Sequence, residues 1–364
     1  MEKEKISSGQ LFVLIFLFEM GTALVLPIGF ASDKDVWLSV ILASVGGIVL
    51  FILYDYLFRE YPNLLLSGYA RKILGRNLGW IVSFVYATLF IYLSSRDLRE
   101  TGALLVSSVY SQTPLFIIET MLIIVTIYAL YKGVEVLART AEIYFVVFIC
   151  LGLVGSISVL LSDIVNIGNF QPILENGWKP VLKSAYPNIL MFPFGEIFCF
   201  SVIFPNLNQT QSGRKVGVAA LTFSTLILTF THALEISVLG ETGYRTSAFP
   251  LLRMIQNAHI GELFERLDIF AIIALIIGVF FKISIYCLAA INIISDIFNI
   301  ENKQKLAVPI AFIALLSSII EASNISEHFK EGELVIKFLL PIFFVAIPVL
   351  LVVVHWIRKR LNLL

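Results

Sequence analysis

Charge is the scarcest commodity in this sequence. Asp, Glu, Lys and Arg make up only 14% of its 364 residues, where a soluble domain carries about a quarter. Hydrophobic residues reach 58%, and mean hydropathy is +0.91. Together these exclude an ordinary soluble globule and indicate an integral membrane protein. The formal net charge is +0, so no surplus of one sign points to nucleic acid or to an acidic partner. Cysteine is nearly absent. Cys150, Cys199 and Cys287 lie in apolar segments with no CxxC or Cys/His grouping and read as small buried hydrophobes. The four histidines, His232, His259, His328 and His355, lack metal-ligand spacing. With no Walker glycine loop, HExxH or GxSxG, nothing indicates an enzyme, a metal or a cofactor. No stretch is polar enough for a soluble domain. The first apolar run lacks a cleavage-type signal and reads as a retained helix.

What is present is a series of apolar runs. A hydrocarbon core about 30 Å thick needs about 20 residues of helix. Ten segments meet this, near 10–30, 36–58, 79–106, 114–131, 141–162, 185–205, 216–239, 267–295, 306–322 and 337–357. With the N-terminus inside, the inner segments hold 15 Lys and Arg and the outer loops 8. That asymmetry places both termini in the cytoplasm. The loop 60–78 carries Leu65, Leu66, Tyr69, Ile73 and Leu74 at helical spacing, with Arg71, Lys72 and Arg76 on the other side. It reads as a short amphipathic helix on the inner leaflet, its basic face toward anionic headgroups. The outer stretch 240–266 contains Phe249-Pro250 and a helical run through Leu251, Ile255, Ile260 and Leu263. It is either a lid over a vestibule or a packed loop.

Two of the runs are interrupted. Segment 10–30 breaks at Glu19-Met20-Gly21-Thr22, and segment 185–205 at Pro193-Phe194-Gly195-Glu196. Continuous helix satisfies every backbone group in lipid, so paired breaks in the two halves of a chain suggest a midplane site between inverted repeats. Ionisable groups inside a membrane usually face a cavity or a partner. Those here are Glu19, Glu196, Lys282, the string Arg96-Asp97-Leu98-Arg99-Glu100, and His232 with Glu235. Each has a bland alternative. Arg96 and Glu100 form a self-neutralising i,i+4 pair or face the cavity, and Arg99 and Glu100 lie either inside or near the outer surface. Lys282 shares a helical face with Tyr286 and pairs with Glu196, with Glu19 or with a ligand carboxylate. Gly21 and Thr22 either offer backbone N–H groups to an anion or only permit close packing.

The sequence resembles the spore germination permease family, the multi-spanning B subunits of Ger-type germinant receptors within the amino acid–polyamine–organocation transporter superfamily. The resemblance rests on residues in order along nearly the whole chain. They are Gln10, Gly21 with Pro27, Tyr61-Pro62-Asn63, Leu74-Gly75, Leu98-Arg99-Glu100 and Thr113-Pro114; then Gly133-Val134-Glu135-Val136-Leu137-Ala138-Arg139, the most specific; and then Pro172-Ile173-Leu174-Glu175-Asn176-Gly177, Gly195-Glu196, Phe249-Pro250 and Glu265-Arg266-Leu267-Asp268.

That resemblance implies an all-α membrane protein of ten transmembrane helices. The core would be a LeuT-like five-plus-five inverted repeat with helices 1 and 6 broken. The whole of 1–364 would form one transmembrane domain, with repeats 9–163 and 185–357 and an outer loop 164–184. It implies a bacterial cell membrane or spore inner membrane location, and a larger A-type subunit and a lipoprotein C-type subunit as partners. The ligand would be a small nutrient, an amino acid, bound by helices 1, 3, 6 and 8. The candidate residues are Gly21 and Thr22; Tyr92 and Arg96; Phe194, Gly195, Glu196 and Ile197; and Lys282 with Tyr286. Glu19 and Lys282 are charges where relatives that sense alanine would be expected to carry apolar or small polar residues, leaving room for a more polar ligand. A nutrient-sensing receptor subunit is the first expectation. A proton- or cation-coupled amino acid transporter is the alternative, and a scaffold for the partner subunits ranks third.

Overall fold

Helix α1 (Ser8–Met20) opens on a capping box: the Gln10 amide donates to Ser7 Oγ at 3.1 Å, and the Ser7 amide donates to the Gln10 side chain at 2.9 Å. This is the computed structural model of the chain, describing residues 5–258 and 267–362. The further helices are α2 (Val36–Glu60), α3 (Leu66–Leu74), α4 (Arg76–Ser108), α5 (Leu115–Lys132), α6 (Val134–Leu161), α7 (Trp178–Lys183), α8 (Gly213–Thr246), α9 (Pro250–Gln256), α10 (Asp268–Ile297), α11 (Ala307–Ile320), α12 (Ile325–Leu334) and α13 (Ile347–Arg360). Among the described residues there is no strand, only a parallel bridge between Ile6 and Leu207.

Nine helical stretches among the described residues are long and apolar enough to cross a membrane: Phe30–Glu60, α4, α5, α6, Trp178–Val202, Thr210–Thr246, α10, Lys303–Ile320 and Ile325–Arg360. Helix α1 is shorter; its 13 residues rise about 20 Å, two-thirds of a hydrocarbon core. The chain is thus a multi-pass, all-helical membrane protein. Helix α10 and the stretch 178–202 are the most enclosed, each with 72% of its apolar window buried, against 22% for α6. The former two form the centre of the bundle. Helices α5 and α6 turn Met121, Ile124, Val125, Ile143 and Val146 outward, as lipid-facing surfaces require.

Glycine sets two tight joints. Gly75 (φ 88°) links α3 to α4, and Gly133 (φ 84°) links α5 to α6, both in backbone conformations that side chains resist. Helix α6 therefore begins at Val134, seven residues before the expected 141, and the Gly133–Arg139 motif forms its first turns. There Arg139 pairs with Glu135 at 2.6 Å, i to i+4. In the last span the turns at Val335–Leu339 and Ile342–Ala346 widen on either side of Pro341, which has no N–H to give. The carbonyls of Phe343 and Phe344 find donors elsewhere, from Tyr86 Oη at 2.6 Å and from Tyr54 Oη.

The expected amphipathic helix is present as α3, burying Leu66, Tyr69, Ala70 and Ile73. Its basic side is not all free for headgroups. Arg71 pairs with Asp296 at 2.5 Å, and Lys72 lies over the Tyr61 ring at 5.2 Å. Of the outer stretch 240–266, the part through Ala258 is packed. Gly240 (φ 64°) bends α8, and α9 buries Leu251 and Ile255. Ile260, Leu263, His259, Glu265 and Arg266 lie outside the described residues, as does Lys3 of the inner charge count. Cys199 and Cys287 are buried as expected, whereas Cys150 is exposed on the lipid-facing side of α6.

Both chain ends meet the same end of α2. Ser8 bonds Ser212, Arg59 donates to the Gln211 carbonyl at 3.1 Å, and Lys359 donates to Glu60 at 2.9 Å. A cavity lined by Phe30, Ala31, Lys183 and Arg245 lies toward the opposite end.

Candidate functional site

Helix α1 ends because Gly21 turns away from helical geometry (ψ −119°), after which Thr22–Leu24 makes a single tight turn. In the stretch 178–202, Pro187 and Pro193 each withhold an amide. Tyr186 is extended (φ −129°, ψ 119°), and the chain resumes as a tight 3₁₀ run from Phe194 to Val202. These two interruptions face the middle of α10 and of α4.

At their meeting point sits Lys282, fully buried. Its Nζ lies 2.7 Å from Glu196 Oε2 and 3.8 Å from Asp97 Oδ1. The Phe192 ring stands 4.5 Å from the ammonium and the Phe18 ring 5.5 Å. Thr22 Oγ1 donates to Asp97 Oδ1 at 2.7 Å, tying the α1 break to α4. The break also touches α10 closely. A Cβ on Gly21 would lie 2.6 Å from Lys282 Cδ, and a Cβ on Gly278 would lie 3.1 Å from the Gly21 Cα. Glu19, one turn before, is fully buried, and neither of its carboxylate oxygens has a hydrogen-bond partner.

A second buried charge group lies nearer the cavity mouth. Arg96 bonds the Glu321 carboxylate, the His328 carbonyl at 3.0 Å, His328 Nε2 at 3.0 Å and Tyr92 Oη at 3.3 Å. His328 Nε2 is also 2.9 Å from Glu100 Oε1, and Arg99 donates to the Ala322 carbonyl at 2.8 Å. Arg96 and Glu100 are therefore more than a self-neutralising pair, since both bond His328 of α12 and Arg96 also bonds Glu321 just after α11. A third group joins His232 Nδ1 to Glu235 at 2.8 Å, with Tyr244 Oη donating to the Ile28 carbonyl at 2.9 Å.

A cavity of about 760 Å³ descends between the 26–31 segment, the 245–248 turn and helix α12. Its floor is made by Asp97, Glu196 and Phe192, and Arg96 and Glu100 line it nearer the mouth. Of the sequence-predicted site residues, Arg96 and Glu196 line it. Gly21, Thr22 and Lys282 pack directly behind its floor. Tyr286 is buried deeper, edge-on to Phe18 at 5.1 Å and stacked on Phe90 at 6.1 Å. Tyr92 serves Arg96. Phe194 fills the space against Gly47, where a Cβ would stand 2.6 Å away, Gly195 abuts the Leu190 carbonyl, and Ile197 is in the core. The sequence reading missed Asp97, Phe192, Glu321 and His328 as site residues.

Residues 5–326 match the family described as spore germination protein. Spore germination protein KB of Bacillus subtilis (strain 168) is 40% identical over 99% of this chain and 97% of its own length. The chain belongs to the spore germination permease family. More distant relatives of the permease include spore germination protein YndE of the same organism, 27% identical over 90% of this chain and 89% of its own. Spore germination protein XB of Bacillus anthracis is 26% identical over 79% and 78%. Among solved structures, MhsT in complex with L-phenylalanine superposes with a TM-score of 0.71 at 13% identity, over 94% of the permease and 88% of MhsT. MHP1, a nucleobase-cation-symport-1 family transporter in a closed conformation with bromovinylhydantoin bound, gives 0.68 at 14%, over 94% and 78%. At these identities the likeness is one of fold: this chain shares the helical architecture of these LeuT-fold proteins.

Proposed function

We propose that the permease is the nutrient-sensing membrane subunit of a spore germinant receptor, taking a small molecule of the amino acid class into its cavity and carrying out no chemical step on it. The observation that carries this reading is the cavity of about 760 Å³ that Asp97, Glu196 and Phe192 line, with Lys282 and Thr22 bound to those carboxylates from behind. Such a volume suits a small ligand. On this reading, 8–35 and 178–202 are the broken first and sixth of ten crossings, related as five-plus-five inverted repeats. Both termini face the cytoplasm, and the membrane is the spore inner membrane. Binding between the breaks shifts the packing of α1 against α10, and A-type and lipoprotein C-type subunits read that shift. Gly21, Thr22, Glu196 and Lys282 form the moving contact, with Asp97 and Phe192 at the ligand.

Coupled transport is the second reading, favoured by the fold shared with MhsT and MHP1. One paired experiment separates the two. Germination is followed in spores whose only receptor permease is this chain, and uptake of radiolabelled amino acids is followed in vesicles holding it alone. Receptor function predicts germination without uptake, and loss of germination in Ala31→Trp, which fills the cavity mouth. Uptake by the isolated chain would establish transport, and nutrient-dependent germination unchanged in Ala31→Trp would put the ligand elsewhere.

A further inference from the structure

Lys282 is one ammonium among three carboxylates. Glu196 and Asp97 hold it at 2.7 and 3.8 Å. Glu19, with both oxygens unpartnered and no exposure, follows directly on Phe18, whose ring stands 5.5 Å from the Lys282 ammonium. A buried carboxylate without a partner is costly and calls for a counter-charge. The neighbouring cations are already engaged, because Arg96 faces Glu321 and Glu100, and Arg99 caps the Ala322 carbonyl. Two of the three carboxylates, Asp97 and Glu196, reach the cavity, and the Phe192 ring that faces the ammonium lines it too. Lys282 itself does not line it.

We infer that the cavity floor is a receptor for a primary ammonium group, and that Lys282 is its built-in competitor: the ligand's ammonium takes the place beside Asp97, Glu196 and Phe192, and Lys282 transfers to Glu19. This rests on the reading of the cavity as the nutrient site and names the chemical class the site takes. Three carboxylates can accommodate two ammonium groups; an aromatic face at 4.5 Å adds attraction for any cation, and the N–H donors of a primary ammonium add hydrogen bonds to the carboxylates. An anionic group is disfavoured beside Asp97 and Glu196, and a carboxylate would find its cations elsewhere in the lining, at Lys183, Arg245, Lys330 and Lys337. The transfer also supplies a mechanical step, since the Lys282 side chain packs against Gly21 at the end of α1. Moving it changes the contact between α1 and α10.

The test uses the purified full chain in detergent, with methylammonium chloride as the probe, and with sodium chloride, choline chloride and sodium propionate at equal ionic strength. For a dissociation constant on the order of 10 mM, 100 mM methylammonium should raise the unfolding temperature by about 1–3 °C over sodium chloride. Choline, which has no N–H, and propionate should not. Asp97→Asn should lose the methylammonium shift, and Lys282→Met, which removes the competitor, should enlarge it. The inference is overturned if sodium, choline or propionate stabilises as well as methylammonium, or if Lys282→Met abolishes the shift. If methylammonium leaves the native chain unmoved while Ala31→Trp still abolishes germination, the ammonium assignment falls and the receptor reading stands.

Discussion

Gly21→Ala places a methyl carbon 2.6 Å from Lys282 Cδ, 3.3 Å from Lys282 Cβ and 3.1 Å from the Phe18 carbonyl oxygen. Carbon pairs rest at about 3.5–4.0 Å, so the Lys282 stem has to move by about 1 Å. It is not free to do so. Its far end is held by Glu196 at 2.7 Å, and the backbone of Gly278 on the same helix already approaches Gly21. Overpacking of this kind costs about 1–3 kcal/mol, a loss of about 5- to 150-fold in the folded-to-unfolded ratio. The assay is chemical or thermal unfolding of the purified protein, read by tryptophan fluorescence, as a double-mutant cycle with Lys282→Ala. Removing Cδ relieves the 2.6 Å clash and leaves only the contacts at 3.1 Å with the Phe18 carbonyl and 3.3 Å with Cβ of residue 282, so Gly21→Ala should cost less in that background, with a coupling energy of at least about 1 kcal/mol. Gly152→Ala, on an exposed position of α6 with nothing within 4 Å, is the control and should be neutral or slightly stabilising. Additivity of Gly21→Ala and Lys282→Ala within about 0.5 kcal/mol would refute the packing of the α1 break on Lys282.

Arg96→Met should destabilise by about 3–5 kcal/mol, because Glu321 and Glu100 lose their cation inside the protein. Adding Glu321→Gln should recover part of that loss in the same unfolding assay, and a double variant no better than the single would show the two side chains to be uncoupled. Gly133→Ala should cost about 1–3 kcal/mol, since φ 84° with ψ 174° is a conformation nearly confined to glycine. The neighbouring Lys132→Ala, exposed at the end of α5, should stay within about 0.5 kcal/mol of native, and equal effects would rule out the backbone argument.

What could be read from the sequence, and what could not, follows from the range of each signal. Long apolar runs reveal spans because lipid demands them locally, and nine of the ten expected segments correspond to membrane-length helices. The first, expected to cross with a break at Glu19–Thr22, has a regular helix of only 13 residues, which stops where Gly21 leaves the helical region. Glu196 and Lys282 stood out as charges within apolar runs, and they do meet. Their partner Asp97 sat in a charged string where periodicity alone gave no rank to its members. Glu321 and His328 had no local signal at all, because the Arg96 they bind lies 225 and 232 residues away. Phe194, Gly195 and Ile197 were grouped with the site by adjacency to Glu196. The tight 3₁₀ turn sends its side chains outward in three directions, and only Glu196 of these four reaches the cavity.

The central claim is that germinants enter the cavity and settle on its charged floor. The most direct measurement is maleimide labelling of Ser247→Cys in the cavity lining, in membrane vesicles holding this chain, with and without a mixture of amino acids, with Lys179→Cys, exposed and outside the cavity lining, as the reference. The account predicts that the mixture slows labelling at 247 and leaves 179 unchanged, and that Glu196→Gln weakens the protection. Equal labelling rates at 247 with and without nutrients, in spores that germinate normally on the same mixture, would contradict it.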